Sequence, residues 1–305
     1  MDVILTGSVA FDYLMTFPGL YKDCFLEDRL SSISLSFLVD SMRRVRGGIA
    51  PNIAYSMSLL GARPRIMATV GEDFAEYRSW LEAKGIDTSL MEVVPNEFTS
   101  SFFATTDKAS AQIASFYPGA MSMAASQSLK GLAKKPDLVV ISPTTPESMA
   151  KFAFECRELG IPYLYDPSQQ VVRLSGEDLT RDLRGAHFLF CNDYEYDLIT
   201  KKTGLGQEEL LDAVKVLVVT RGKDGATLYH DGEELKIPTV PEDEIVDPTG
   251  VGDAFRGGFL VGYSKGWDWS LCGKVGALAA VYCLEQRGPQ GHAYSIDDFI
   301  HRFRS

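Results

Sequence analysis

The chain has 305 residues, of which 45% are hydrophobic and 23% charged, and its formal net charge is −11. That composition excludes a disordered, collagen-like or coiled-coil chain. The acidic balance argues against nucleic acid or an anionic membrane as partner, because phosphate contacts need clustered Lys and Arg.

No apolar run approaches the ~20 residues that cross a bilayer. The five cysteines and four histidines follow no metal or disulfide spacing. Met1-Asp2-Val3-Ile4-Leu5 carries no basic leader region, so the expectation is a cytoplasmic protein. The first strand is Val3 to Ser8, and a break follows at Pro18-Gly19. From 29 to 46, Leu30, Ile33, Leu35 and Phe37 partly alternate with Ser31, Ser32, Ser34 and Ser36, the pattern of an exposed strand with one apolar face. Gly47-Gly48 opens a helix over Pro51 to Leu60, with proline in its first turn and Gly61 at its end. A buried strand (Arg65 to Val70) and a helix stopped by Gly85 (Phe74 to Lys84) come next. Three short strands are expected at Met91 to Val94, Ser100 to Thr106 and Gln112 to Tyr117.

From Asp137 the pattern alternates. Strands at Leu138 to Ser142, Tyr163 to Asp166, Phe188 to Cys191 and Val216 to Thr220 enclose helices near 146–159, 176–184 and 193–214. Short apolar strands between helices predict a parallel sheet covered on both faces. A hairpin (Ala226 to His230, Glu233 to Ile237) turns at Asp231-Gly232. The C-terminal part is helical over 252–265, 268–285 and 295–303. The expected architecture is one α/β domain over 1–305, carrying a small β flap from about 13–46 and 91–117. The cleft between core and flap is the expected ligand site.

The most informative string is Asp247-Pro248-Thr249-Gly250-Val251-Gly252-Asp253-Ala254-Phe255-Arg256-Gly257-Gly258-Phe259. Its glycines flank the start of an apolar helix, whose end offers unpaired N–H groups and partial positive charge. Gly250, Val251 and Gly252 can therefore form an anion hole. A carboxylate at Asp253 would not bind the anion; it suits a general base that takes a proton from an attacking hydroxyl. The plain alternative is a helix cap. No GxxxxGK[ST] loop and no protein-kinase HRD or DFG set occurs. A dinucleotide-binding GxGxxG is also missing after the first strand.

That string resembles the C-terminal signature of the ribokinase-like (PfkB) carbohydrate kinase family. Gly7-Ser8-Val9-Ala10-Phe11-Asp12 is similar to its sugar-binding strand end. Arg46-Gly47-Gly48-Ile49-Ala50-Pro51-Asn52-Ile53-Ala54 resembles the double-glycine motif. Asn192-Asp193-Tyr194-Glu195 resembles N-x-x-E, which read alone is a capping-box pattern. Val219-Thr220-Arg221-Gly222-Lys223-Asp224-Gly225 resembles the nucleotide-contacting turn. The resemblance covers residues 5 to about 290 and implies a doubly wound, mainly parallel sheet with a β lid.

The resemblance also implies roles. Asp253 is the base beside the Gly250–Gly252 anion hole. Ser8, Asp12, Gly47, Gly48 and Asn52 hold the substrate. Asn192, Thr220, Gly222 and Gly225 hold ATP, and Glu195 organises Mg2+ through water. Asp247 and Thr249 mark a site for a monovalent cation such as K+. Flap aromatics (Phe37, Phe102, Phe116, Tyr117, with Met121) suit a planar base, or else form the flap's own core. Both flap stretches are similar to adenosine-kinase-like nucleoside kinases. The expected activity is ATP-dependent phosphorylation of a nucleoside 5′-hydroxyl, adenosine first. The alternatives are a ribose or other furanose kinase and an inactive kinase-like scaffold. The family includes monomers and lid-mediated homodimers.

Overall fold

The computed structural model describes residues 1–24 and 35–304. Thirteen strands and nine α-helices are described, arranged on two sheets.

The large sheet begins with β1 (Val3–Thr6), every residue of which is buried. Its parallel neighbours are β4 (Arg65–Val70) and β8 (Leu138–Ile141). Outside β4 lies β5 (Asp87–Val93); beyond β8 come β9 (Tyr163–Tyr165), β10 (Phe188–Asn192) and β11 (Val216–Thr220), all parallel. The hairpin of β12 (Ala226–His230) and β13 (Glu233–Ile237) closes that edge antiparallel. Chain order thus runs outward from β1 in both directions, with a topological switch point beside it. In such sheets ligands bind at the carboxyl ends of the strands.

Alternate residues of each strand feed opposite faces. Val3, Leu5, Ile66, Val140, Phe188 and Phe190 enter one core, with Ile53, Met57, Phe255 and Phe259 of the helices α1 (Ile49–Leu59) and α7 (Val251–Ser264). Ile4, Met67, Val139, Ile141, Leu189 and Leu217 enter the other, with Met149 and Phe152 of α3 (Pro146–Leu159) and Ile199 of α5 (Asp193–Thr203). Burial on both faces explains why these strands read as continuous apolar runs rather than alternating ones.

The small sheet has the order β3-β2-β6-β7: β3 (Ser41–Gly47), β2 (Ala10–Thr16), β6 (Ser100–Thr106) and β7 (Gln112–Tyr117). Its boundaries correct the expected flap. The sheet starts at Ala10, just past β1, rather than near 13. Residues 91–93 belong to β5 of the large sheet, because the chain crosses back through α2 (Ala75–Ala83) to pair parallel with β4. The strand expected from Leu30 onward lies partly outside the described residues; residues 35–40 form no strand, and pairing begins at Ser41. The long helix expected over 193–214 is two, α5 and α6 (Gln207–Ala213). Gly204 ends the first in the left-handed conformation (φ +72°).

One contact sets the position of α7. A Cβ on Gly258 would lie 2.7 Å from the Val275 carbonyl oxygen and 2.9 Å from Ala279 Cβ of α8 (Trp269–Leu284). Gly258→Ala forces these helices apart. It is expected to lower the melting temperature in a thermal unfolding scan, at a cost of about 1–3 kcal/mol.

Candidate active site

The parallel strands bring three motif segments, and Asp166 with them, to one edge of the large sheet. Gly7-Ser8 follows β1, Asp166 follows β9, Asn192 ends β10 and Thr220 ends β11, the last two in register. The N-terminus of α7 completes the group.

Gly250 caps α7 with φ +81°, and a Cβ there would lie 2.4 Å from Pro289 Cβ, so glycine is required. Asp247 ties the same turn to the loop after α8. Its Oδ1 accepts the Thr249 N–H at 2.9 Å, and its Oδ2 accepts the Gly288 N–H at 3.0 Å. Burial opposes charge on Asp247, but these hydrogen bonds and the charge of Arg43 outweigh it and hold the carboxyl below its ordinary value. Val251, Gly252 and Asp253 form the first helical turn, where the helix supplies no acceptors for its N–H groups.

Asp253 meets the double-glycine segment. Asn52 Nδ2 donates to its Oδ2 at 2.9 Å, across 201 residues of sequence. The residue keeps partial solvent access, yet protein surrounds the carboxyl closely. Burial pushes it up to about 7, against the Arg256 charge and the Asn52 hydrogen bond, with Asp166 and Glu195 adding to the rise.

Asp12 is the second raised carboxyl, pushed up to about 6 by burial. Among the described residues nothing donates a hydrogen bond to it. A Cβ on Gly47 would sit 2.7 Å from Asp12 Oδ2, so glycine at 47 makes room for this carboxylate. A buried carboxylate without a donor is poised for ligand hydroxyls.

Other expected site residues have partners within the fold. Ser8 Oγ accepts from the Ile49 N–H at 3.3 Å, at the start of α1. Gly48 (φ +96°) is crossed by the chain's own backbone: a Cβ would lie 2.5 Å from the Ser8 carbonyl oxygen. Asn192 and Glu195 form a reciprocal capping box, with Glu195 N–H to Asn192 Oδ1 at 2.7 Å and Asn192 N–H to Glu195 Oε2 at 2.8 Å. Gly222 (φ +54°) and Gly225 (φ +83°) shape the turn after Thr220, and a Cβ on Gly225 would meet the Ile237 carbonyl. Phe116 lies on the outer strand of the small sheet, 49% exposed and paired across from Phe102. Phe37 packs edge-on against Phe17 and Tyr21 inside the flap.

Four residues here carried no sequence signal that marked them. Arg256 and Asp166 form a buried ion pair, with Nη2 donating to Oδ1 at 2.8 Å and Nε 2.7 Å from Oδ2. Burial raises the Asp166 carboxyl to about 6 in spite of the Arg256 charge. A Cβ on Gly252 would stand 2.9 Å from Arg256 Nη1, which puts the guanidinium against the glycine turn. Tyr77 and Gln290 stand behind Asn52, Gln290 Nε2 donating to Asn52 Oδ1 at 2.8 Å and to the Tyr77 hydroxyl at 2.6 Å.

The described residues hold no cluster of three or more His, Cys, Asp or Glu able to bind a metal directly. Glu195 is 8% exposed and only its Oε2 is engaged, so its second oxygen can accept from a metal-bound water. Two surface cavities, about 610 and 1170 Å³, lie elsewhere; the larger is lined by His187, Lys215 and Trp269, at the amino ends of β10 and β11. The described residues include no helix long and apolar enough to cross a membrane.

A family model for pfkB family carbohydrate kinases matches residues 9–295. The chain belongs to that family. Within this kinase family it falls in the nucleoside-kinase branch. It is 32% identical over 311 residues to the nucleoside kinase of Methanothermobacter thermautotrophicus, covering 99% of this chain and 95% of that one. The structure is similar to ligand-free Burkholderia thailandensis nucleoside kinase, with a TM-score of 0.90, 36% identity, and 99% and 100% of the two chains covered. The inosine complex of that Burkholderia enzyme gives a TM-score of 0.87 at 36% identity, covering 99% and 97%. This pfkB-family chain is accordingly a phosphotransferase of the nucleoside and sugar kinase type.

Removing one partner of the buried pair exposes its energetics. Arg256→Met leaves Asp166 in the interior without its counter-charge, where burial drives it toward the neutral acid. It is expected to cost about 3–5 kcal/mol, read as a large fall in denaturant midpoint, and adding Asp166→Asn should restore part of the loss.

Proposed function

We propose that this kinase transfers the γ-phosphoryl group of ATP to the 5′-hydroxyl of a nucleoside, adenosine first, with Asp253 as general base. The observation that carries the reading is the Asn52–Asp253 hydrogen bond, because it joins the double-glycine segment to the glycine turn of α7. The Burkholderia nucleoside kinase solved with inosine supports a purine nucleoside as acceptor.

The 5′-oxygen attacks the γ-phosphorus while the bond from that phosphorus to the β,γ-bridging oxygen breaks and ADP leaves. The 5′-hydroxyl proton passes to Asp253, which therefore has to be ionised beforehand. Asn52 holds one carboxylate oxygen and leaves the other for the hydroxyl. The N–H groups of the first turn of α7, with the Arg256 guanidinium beside Gly252, face charge developing on the phosphoryl group. Asp12 accepts from the ribose diol, and a carboxylate matches two vicinal hydroxyls. Glu195 would hold a water of a bound Mg2+, and that ion would supply neutralisation of phosphate charge.

The acceptor is tested by a panel of adenosine, inosine, cytidine, ribose and fructose assayed with ATP and magnesium. Adenosine is expected to exceed both sugars in kcat/KM by at least about tenfold, the scale of one lost apolar or stacking contact. Ribose or fructose as the better acceptor would defeat the nucleoside assignment.

A further inference from the structure

Behind Asp253 runs a chain of hydrogen bonds whose polarity is set at its far end. The Gly47 carbonyl oxygen can only accept, and the Tyr77 hydroxyl donates to it at 3.0 Å. With its proton so placed, the hydroxyl oxygen accepts from Gln290 Nε2 at 2.6 Å. That same nitrogen donates to Asn52 Oδ1 at 2.8 Å. Asn52 must then turn its Nδ2 the other way, where it donates to Asp253 Oδ2 at 2.9 Å.

We infer that Gln290 is a positioning residue: its amide nitrogen fixes which way Asn52 faces and so keeps a hydrogen-bond donor on the base. This rests on the proposed role of Asp253. The opposite orientation of Gln290 would put its oxygen toward Tyr77 and Asn52. The Tyr77 proton would be drawn from Gly47, and Asn52 would present its own oxygen to the Asp253 carboxylate, acceptor against acceptor. The orientation shown holds even though Gln290 Oε1 is buried without a partner among the described residues. The two bonds made by Nε2 therefore decide it.

Tyr77 is itself fully buried among aromatic neighbours Phe11, Phe74 and Trp80, so the anchor of the relay is rigid. Burial keeps the Tyr77 phenol far above its ordinary value, so it stays protonated and remains a donor to Gly47. The charged or titratable groups facing Asp253 are Arg256 on its own helix, Asp166 after β9, Glu195 on α5 and Cys283 on α8. None of these can replace the donor from Asn52 except Arg256, and two of its nitrogens face Asp166.

The test compares wild type, Gln290→Glu and Gln290→Met over a pH range bracketing the Asp253 value, with melting temperatures for each. A glutamate at 290 can only accept when ionised, so it turns the Asn52 amide nitrogen toward itself and removes the donor from Asp253. Since the base must be ionised and loses a group that favours ionisation, the acid limb of kcat/KM moves to higher pH. The expected fall in kcat is about tenfold, with KM for ATP changed by less than about twofold. Gln290→Met offers no acceptor to Asn52 and gives a smaller but measurable fall. It remains decisive if the glutamate variant does not fold. Equal losses in the two variants, or a folded Gln290→Met with the wild-type profile, would overturn the relay. Asp253→Ala assayed alongside separates the two claims: if it is inactive while the Gln290 variants match wild type, only the relay fails, and if it turns over normally, the base assignment fails first.

Discussion

Burying a carboxylate at the amino end of a helix sets two forces against each other, and the site depends on their balance at Asp253. Burial favours the neutral acid. The Arg256 charge and the Asn52 hydrogen bond favour the anion. Burial wins, which puts the carboxyl at about 7 rather than at its ordinary 3.8. A base poised there is ionised enough to accept a proton near neutrality and basic enough to keep it through the transition state. At Asp247, four residues short of the helix, the outcome reverses: hydrogen bonds from the loop outweigh burial, and the carboxyl is held low. Asp253 keeps one carboxylate oxygen without a protein donor among the described residues, which is what the proposed base needs, while Asp247 fixes the turn before it.

The rest of the molecule can be understood as what holds this balance in place. Parallel strands carry Asp166, Asn192 and Thr220 to the same edge as Ser8. The buried Asp166–Arg256 pair locks a positive charge against the glycine turn. The close approach of α7 to α8 at Gly258 sets where that helix begins. The small sheet starts at Ala10, so its first strand delivers Asp12 directly beside Gly47. Asp12 and Asp253 are therefore linked by a few residues of β2 and by the hydrogen bonds through Gly47, Tyr77, Gln290 and Asn52.

Much of the core was legible in the sequence because it obeys local rules. Arg65–Val70, Val216–Thr220 and the helix Pro146–Leu159 are read correctly from apolar runs and from the alternation of strand and helix. What depends on pairing partners was not legible. Residues 91–93 look like other short strands, and only the crossover through α2 assigns them to the large sheet. At the site, Asp253 and Asn52 stand out through their motifs, but Tyr77 is one residue on an amphipathic helix and Gln290 one residue in a loop. Their meaning arises only where the folded chain brings them together. Ser8 and Gly48 show the converse. Their place in a motif suggests substrate contact, and the structure adds a role within the fold that the motif does not state: Ser8 Oγ accepts the α1 amide, and backbone of residues 8–10 crosses the space beside Gly48.

The most direct measurement is turnover by Asp253→Asn, which keeps the shape of the side chain and its capacity to cap a helix. The account predicts a normally folded enzyme with an unchanged melting temperature and little change in nucleoside and ATP KM. Its kcat should be reduced by about 10² to 10⁴, the range of a lost general base. A folded Asp253→Asn enzyme with near wild-type kcat would contradict it and leave Asp253 as no more than a helix cap.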